Sequence, residues 1–143
     1  MCLCRSSYTD MQYSRYYHLL NTITDYKLCN PTIKNGKYTA GLYLENRKQS
    51  DLSTKKNCLK SMVRLMQKCK LHNCNLVVSF AYPSSTSTEK KDRYVMNVDD
   101  LINECKIVFG NDNVEVHKID YLHSNHRNSV KKKVLEYLIC CRG

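Results

Sequence analysis

The sequence predicts an α+β fold: a four-stranded antiparallel sheet in the ferredoxin-like order β-α-β-β-α-β, with one further helix at each end. Three observations support it. Apolar residues recur at helical spacing in two internal segments, and segments rich in strand-forming residues flank both of them. The chain has 143 residues, 42% of them hydrophobic, which suffices for one core. We expect a single domain over 1–143, with an N-terminal helical segment at 1–30, the core at 36–121 and a C-terminal helix at 127–143.

The first two elements lie on either side of Pro31. Apolar and tyrosine residues at helical spacing predict a helix over 8–27. The Asn35-Gly36 pair is a turn signal, and the strand-forming residues after it predict a strand over 37–45. A short hairpin with 31–34 as its first arm is an alternative for this region.

The strongest helical pattern covers residues 52–72. Its apolar side carries Cys58, Leu59, Met62, Val63, Leu65, Met66 and Cys69. Its other side carries four cations at a constant spacing of four residues, namely Lys56, Lys60, Arg64 and Lys68. Residues four apart lie above one another on a helix, so these four form one line, here called the basic stripe.

The middle of the chain predicts two strands separated by a polar loop. Residues 75–82 are β-branched and aromatic, and Pro83 ends them. Residues 83–92 are Ser-, Thr- and Lys-rich, which is typical of a loop. Residues 93–97 fit a short strand; if they are coil instead, the alternative fold is a three-stranded α/β sandwich.

The last three elements are a helix, a strand and a helix. Leu101, Ile102, Cys105 and Phe109 predict a helix over 98–109, and Gly110 stands where a glycine commonly ends a helix. Residues 114–121 begin with strand alternation. Residues 128–141 have apolar positions at helical spacing, so we expect a final helix there.

The net charge is the strongest indication of function. The chain carries 23 Lys and Arg against 13 Asp and Glu, a formal charge of +10. A basic surface favours nucleic acid, with RNA ahead of DNA, or a host protein with an acidic face. The candidate phosphate-binding cations are the basic stripe together with Arg93, Lys131, Lys132 and Lys133.

Two tyrosines could stack on bases if they lie on an open sheet face. The segment Leu42-Tyr43-Leu44-Glu45-Asn46 resembles the first-strand motif of RNA-recognition-motif domains, and Arg93-Tyr94-Val95-Met96 occupies the third-strand position. The resemblance implies base stacking on Tyr43 and Tyr94. The third-strand segment departs from the family, because no glycine follows Arg93 and Met96 is not aromatic. The alternative is that a terminal helix or a second subunit covers both tyrosines.

The remaining candidates are a metal site and a catalytic site. Cys69, His72 and Cys74, with the distant His123 and His126, form a loose version of a zinc-ligand spacing. The sequence has no catalytic glycine loop, nucleophile elbow or metalloprotease motif, so we expect a binding role, no cofactor and no catalytic residues.

Nine cysteines, an odd number, occur without a signal peptide or an apolar run long enough to span a membrane. We therefore expect reduced thiols in a cytoplasmic or nuclear protein, with Cys58, Cys69 and Cys105 buried as small apolar residues. The alternative function is a virus-type accessory or adaptor protein that binds a host protein or forms a homodimer, without catalysis.

Overall fold

The structure, a computed structural model, describes residues 1–5, 18–26, 30–39, 50–83, 94–123 and 132–143. These residues form a mixed α+β architecture with three α-helices. The helices are α1 (His18–Asp25), α2 (Cys58–Leu71) and α3 (Val98–Phe109). The strands are β1 (Cys2–Arg5), β2 (Ile33–Lys34), β3 (Lys37–Tyr38), β4 (Leu76–Pro83), β5 (Val114–His123) and β6 (Lys132–Cys141).

Four of the strands form a mixed sheet in the order β1-β4-β6-β5. β1 pairs with β4 in parallel, whereas β4 with β6 and β5 with β6 are antiparallel pairs. The α+β class is confirmed. The ferredoxin-like arrangement is not confirmed, because a ferredoxin-like sheet is antiparallel throughout whereas this sheet contains a parallel pair.

The N-terminal strand was not predicted from the sequence. β1 has only four residues and lies at the edge of the sheet, with Cys2 opposite Leu76 and Cys4 opposite Val78. The Cys2 amide donates to the Asn75 carbonyl at 2.7 Å, just before β4 begins. Four residues are too few to show a period, so only the pairing with β4 identifies this strand.

The short strand expected at 93–97 does not form. Among its described residues, Tyr94 makes an isolated bridge, Val95 and Met96 form a buried bend, and Asn97 caps α3. The Asn97 side chain accepts a hydrogen bond from the Asp99 amide at 3.0 Å, which holds the start of α3. The alternative with coil at 93–97 is therefore right for this segment, but its three-stranded sheet is wrong because the sheet has four strands.

The predicted C-terminal helix is wrong, because Lys132–Cys141 is strand β6. β6 lies between β4 and β5 and is paired along both edges. Its buried residues Tyr137, Ile139 and Cys141 follow a period of two, which is the period of a strand. The apolar residues on both faces of this central strand also produce helical spacings by chance.

The two internal helices are confirmed, and so are β4 and β5, the strands that follow them. α2 begins at Cys58, after a 3-10 turn at Asp51–Ser53, and so starts later than predicted. α3 matches its predicted bounds. Gly110 ends α3 with a φ of 91°, a conformation that side chains disfavour, as its position indicated.

One face of the sheet is covered by α2 and α3, which also pack against each other. The sheet register aligns the core residues of β4 and β6, with Leu76 opposite Cys141, Val78 opposite Ile139 and Phe80 opposite Tyr137. These strand residues pack with two sets of buried helix residues. The sets are Cys58, Met62, Met66 and Cys69 on α2 and Val98, Leu101, Cys105 and Phe109 on α3.

The opposite face of the sheet carries a mixture of polar and apolar residues. At its centre the half-buried Ser79 hydroxyl on β4 donates to the Glu136 carboxylate on β6. On β5, the Nε2 atom of His117 lies 3.3 Å from the Oε1 atom of Glu115, and both side chains are exposed. Among the residues whose side chains the structure describes, this face does not carry the aromatic pair that a base-stacking surface requires.

The chain divides into two compact units, residues 1–10 with 51–143 and residues 11–50. In the second unit, α1 covers the last part of the helix expected at 8–27, whose residues 8–17 lie outside the described residues. β2 and β3 form the short hairpin considered as an alternative, with positive φ angles at Asn35 and Gly36. Residues 40–45 of the strand expected at 37–45 also lie outside the described residues. The single-domain organisation stays a prediction.

Candidate nucleic-acid interface

The basic stripe lies on the exposed side of α2 and in the turn before it. Lys56, Lys60, Arg64 and Lys68 are all exposed, whereas the opposite side of α2 carries the buried core residues. The amphipathic pattern of α2 thus sets the direction in which the stripe points. Burial of Met62 and Met66 against the sheet fixes the rotation of α2, and that rotation points the four cations away from the core.

The geometry of the stripe suits a polyanion. Four residues of helix rise by about 6 Å, so Lys60, Arg64 and Lys68 follow one another at regular intervals along α2, and Lys56 lies in the turn before them. Within the described part of the chain, the two close contacts between a basic side chain and a carboxylate both involve Glu115, and neither involves a residue of the stripe. The like charges repel one another by a few tenths of a kcal/mol per neighbouring pair. A bound anion would remove that repulsion.

The next cation along α2, Lys70, does not belong to this surface. It is half-buried, and its ammonium nitrogen lies 5.9 Å from the centre of the Phe109 ring on α3. This cation–π contact holds Lys70 between the two helices. The stripe therefore ends at Lys68.

The structure describes one of the two predicted stacking tyrosines, Tyr94, and does not place it on the open sheet face. Tyr94 is half-buried and packs edge-on against Tyr82, with ring centres 5.1 Å apart. Tyr82 is a core residue on the face covered by the helices, so Tyr94 does not stand on the open sheet face. The other predicted partners, Tyr43 and Arg93, lie outside the described residues.

The lysine run near the C-terminus is at a strand end and not at a helix start. Lys132 and Lys133 begin β6, opposite His123 and Leu122 of β5. Adjacent positions of a strand lie on opposite faces of a sheet, so these two residues do not form a line like that on α2. Lys131 lies outside the described residues.

The metal-ligand candidates do not converge where they are described. Cys69 is buried in the last turn of α2, and His72 is exposed at its C-cap. The Cys74 thiol lies 3.5 Å from the His72 carbonyl oxygen, and His123 is the last residue of β5. The described residues contain no group of three or more His, Cys, Asp or Glu side chains arranged to hold a metal ion. His126 lies outside them.

The cysteine thiols form two contacts that the sequence did not predict. Cys69 is hydrogen-bonded to Cys2 of β1, and burial followed by the neighbouring thiols of Cys2, Cys74 and Cys4 raises the Cys69 pKa. The second contact joins α3 to β6. The Cys105 thiol donates to the Cys141 sulfur, which raises the pKa of Cys105 and lowers that of Cys141. Both contacts join elements far apart in sequence, so spacing alone gives no sign of them.

The expectation of buried thiols is confirmed for Cys58, Cys69 and Cys105. All the described cysteines are free thiols. Raised pKa values keep Cys69 and Cys105 protonated at neutral pH, which makes them poor nucleophiles. Their role in the structure is packing.

Among the described residues, no helix is both long and apolar enough to cross a membrane. The chain matches no family model, and no curated protein or solved structure is significantly similar to it. Its function must therefore be inferred from its own residues.

Proposed function

We propose that this protein binds nucleic acid, RNA ahead of DNA, through the basic stripe of α2. One observation supports the proposal above the others: the four cations lie exposed on α2 and in the turn before it, with no ion pair to a carboxylate in the described part of the chain. The net charge of +10 adds a general attraction for polyanions.

The stripe would contact phosphates and not base edges. Lysine and arginine on a line of constant spacing can each reach a phosphate along one backbone. Such contacts position a nucleic acid without reading its sequence, so we expect weak sequence dependence. The order RNA before DNA is part of the proposal, and the titration below tests it directly.

The test reverses two charges at the centre of the stripe. We expect Lys60→Glu with Arg64→Glu to abolish binding of labelled single- and double-stranded RNA and DNA, measured by fluorescence anisotropy at two salt concentrations. Both residues are exposed, so circular dichroism should show an unchanged fold.

The matched control is Lys34→Glu with Lys37→Glu. These two exposed lysines face each other in the β2–β3 hairpin, and their reversal changes the net charge by the same amount. The control should lose little affinity beyond the general charge effect. Equal loss in both double variants would show that only net charge matters, and undiminished binding by the stripe variant would reject the proposal.

A further inference from the structure

The long outer edge of the sheet is unpaired among the described strands. β5 has ten residues and pairs only with β6, at the end of the strand order. Along such an edge, every second residue directs its N–H and C=O groups away from the sheet. The other edge strand, β1, has only four residues. An unpaired edge of this length is a ready surface for another strand.

The side chains at the middle of β5 are self-complementary. Lys118 and Asp120 are both exposed and lie on the same face of the sheet, because they are two residues apart. Ile119 stands between them on the opposite face and is 58% exposed. Within the described residues no ion pair involves Asp120. The Lys118 ammonium nitrogen lies 5.4 Å from the centre of the Tyr137 ring.

We propose that two copies of this chain pair edge to edge through β5, antiparallel about a twofold axis at Ile119. A twofold axis perpendicular to the sheet keeps each face on its own side, so residues opposite each other must lie on the same face. With the axis at Ile119, Lys118 of each copy lies opposite Asp120 of the other. The two Ile119 side chains lie opposite each other on the second face.

Charge selects this register over its neighbours. With the axis moved by one residue toward the N-terminus, Lys118 would lie opposite Lys118 of the second copy. With the axis moved by one residue toward the C-terminus, Asp120 would lie opposite Asp120. Like charges directly opposite each other are unfavourable in antiparallel sheets, whereas opposite charges are favourable. Of these three registers, only the one at Ile119 pairs charges of opposite sign.

The occupant is therefore a second copy and not an unrelated strand. Lys118 lies opposite the buried Tyr137, on the face of the sheet that the helices cover. A lysine on that face of an edge strand ordinarily discourages pairing with other chains. Asp120 of a second copy neutralises that lysine, whereas an uncharged strand does not. This inference is independent of the proposed function, because it involves no residue of the basic stripe.

The test measures the mass of the full chain in solution. The protein is treated with nuclease, so that no nucleic acid bridges two copies, and is studied by sedimentation equilibrium over a concentration series in reducing buffer. We expect a dimer. Lys118→Asp alone and Asp120→Lys alone should each raise the dimer dissociation constant by at least about tenfold, since each converts two attractive pairs into two repulsive ones.

Two combinations of these substitutions should restore the dimer. An equimolar mixture of the two single variants should form a heterodimer, because the carboxylate introduced at position 118 of one copy then faces the ammonium introduced at position 120 of the other. The double variant K118D/D120K should also form a dimer by itself. Exposed residues matched in charge, Lys106→Asp and Asp112→Lys, should leave the dissociation constant unchanged.

A monomer at every concentration would overturn the proposal. A dimer that both single variants leave intact would also overturn it, because the interface would then lie elsewhere. The mixture keeps the register testable if the double variant does not fold, and a mixture without heterodimer would reject this register.

Discussion

At the residue scale, the cysteines behave as apolar side chains that also contact one another. Cys58, Cys69, Cys105 and Cys141 are buried, and the Cys105 thiol also lies 4.0 Å from the Met66 sulfur. The sequence indicated burial for three of these from helical spacing. The sequence did not indicate the burial of Cys141, because that residue was assigned to a helix that does not form.

The raised pKa of Cys69 predicts how its contribution to stability depends on pH. In the folded chain burial keeps this thiol protonated, whereas in the unfolded chain it ionises near its ordinary pKa. Its contribution is therefore fully present below that ordinary pKa and declines as the pH rises above it. The expected decline is about 1.4 kcal/mol per pH unit, until the pH reaches the folded pKa.

The measurement compares wild type with Cys69→Ala by urea unfolding under reducing conditions. At neutral pH the variant should be less stable by about 1 kcal/mol, because it lacks a buried sulfur. That difference should shrink as the pH is raised into the alkaline range. A difference independent of pH would show that the Cys69 pKa is not raised in the folded state.

At the element scale, β6 shows that the spacing of apolar residues does not always distinguish a strand from a helix. The helical interpretation of 128–141 directed Val134, Leu135 and Leu138 inward, whereas the strand directs Tyr137, Ile139 and Cys141 inward. A central strand has apolar residues on both faces, and such a run does not distinguish a strand from a buried helix. Only the pairing with β4 and β5 on both edges decides between them.

Two alanine substitutions test this assignment. Ile139 is fully buried opposite Val78, so Ile139→Ala should lower the free energy of unfolding by about 2–5 kcal/mol. Leu138 is half-buried on the other face, so Leu138→Ala should cost clearly less. Urea unfolding followed by circular dichroism measures both. The reverse order of costs would favour the helical alternative.

At the scale of the whole molecule, the net charge sets the general attraction to anions, and the fold sets where the cations lie. The +10 charge by itself predicts attraction to any polyanion, but the fold places four exposed cations on α2 and the turn before it. If each of the four neutralises one phosphate, the logarithm of the binding constant should fall against the logarithm of salt concentration with a slope of about −3 to −4.

The substitution Lys68→Gln tests this count. Loss of one phosphate contact should reduce the magnitude of the slope by about one and weaken binding nearly equally for all sequences. Lys106→Gln on α3 is the control, because Lys106 is exposed but lies outside the stripe. A slope that Lys68→Gln leaves unchanged would remove Lys68 from the interface.

The α+β class, α2, α3, β4 and β5 could be predicted from the sequence, because each element has a clear period or a clear terminal residue such as Gly110. The exposed side of α2 that carries Lys60, Arg64 and Lys68 could be predicted too, since residues four apart on a helix lie above one another. The strand order, β1, β6 and the position of Tyr94 against Tyr82 became evident only in the folded chain. Strand pairing and core contacts join residues far apart in sequence, whereas helical faces are set by near neighbours.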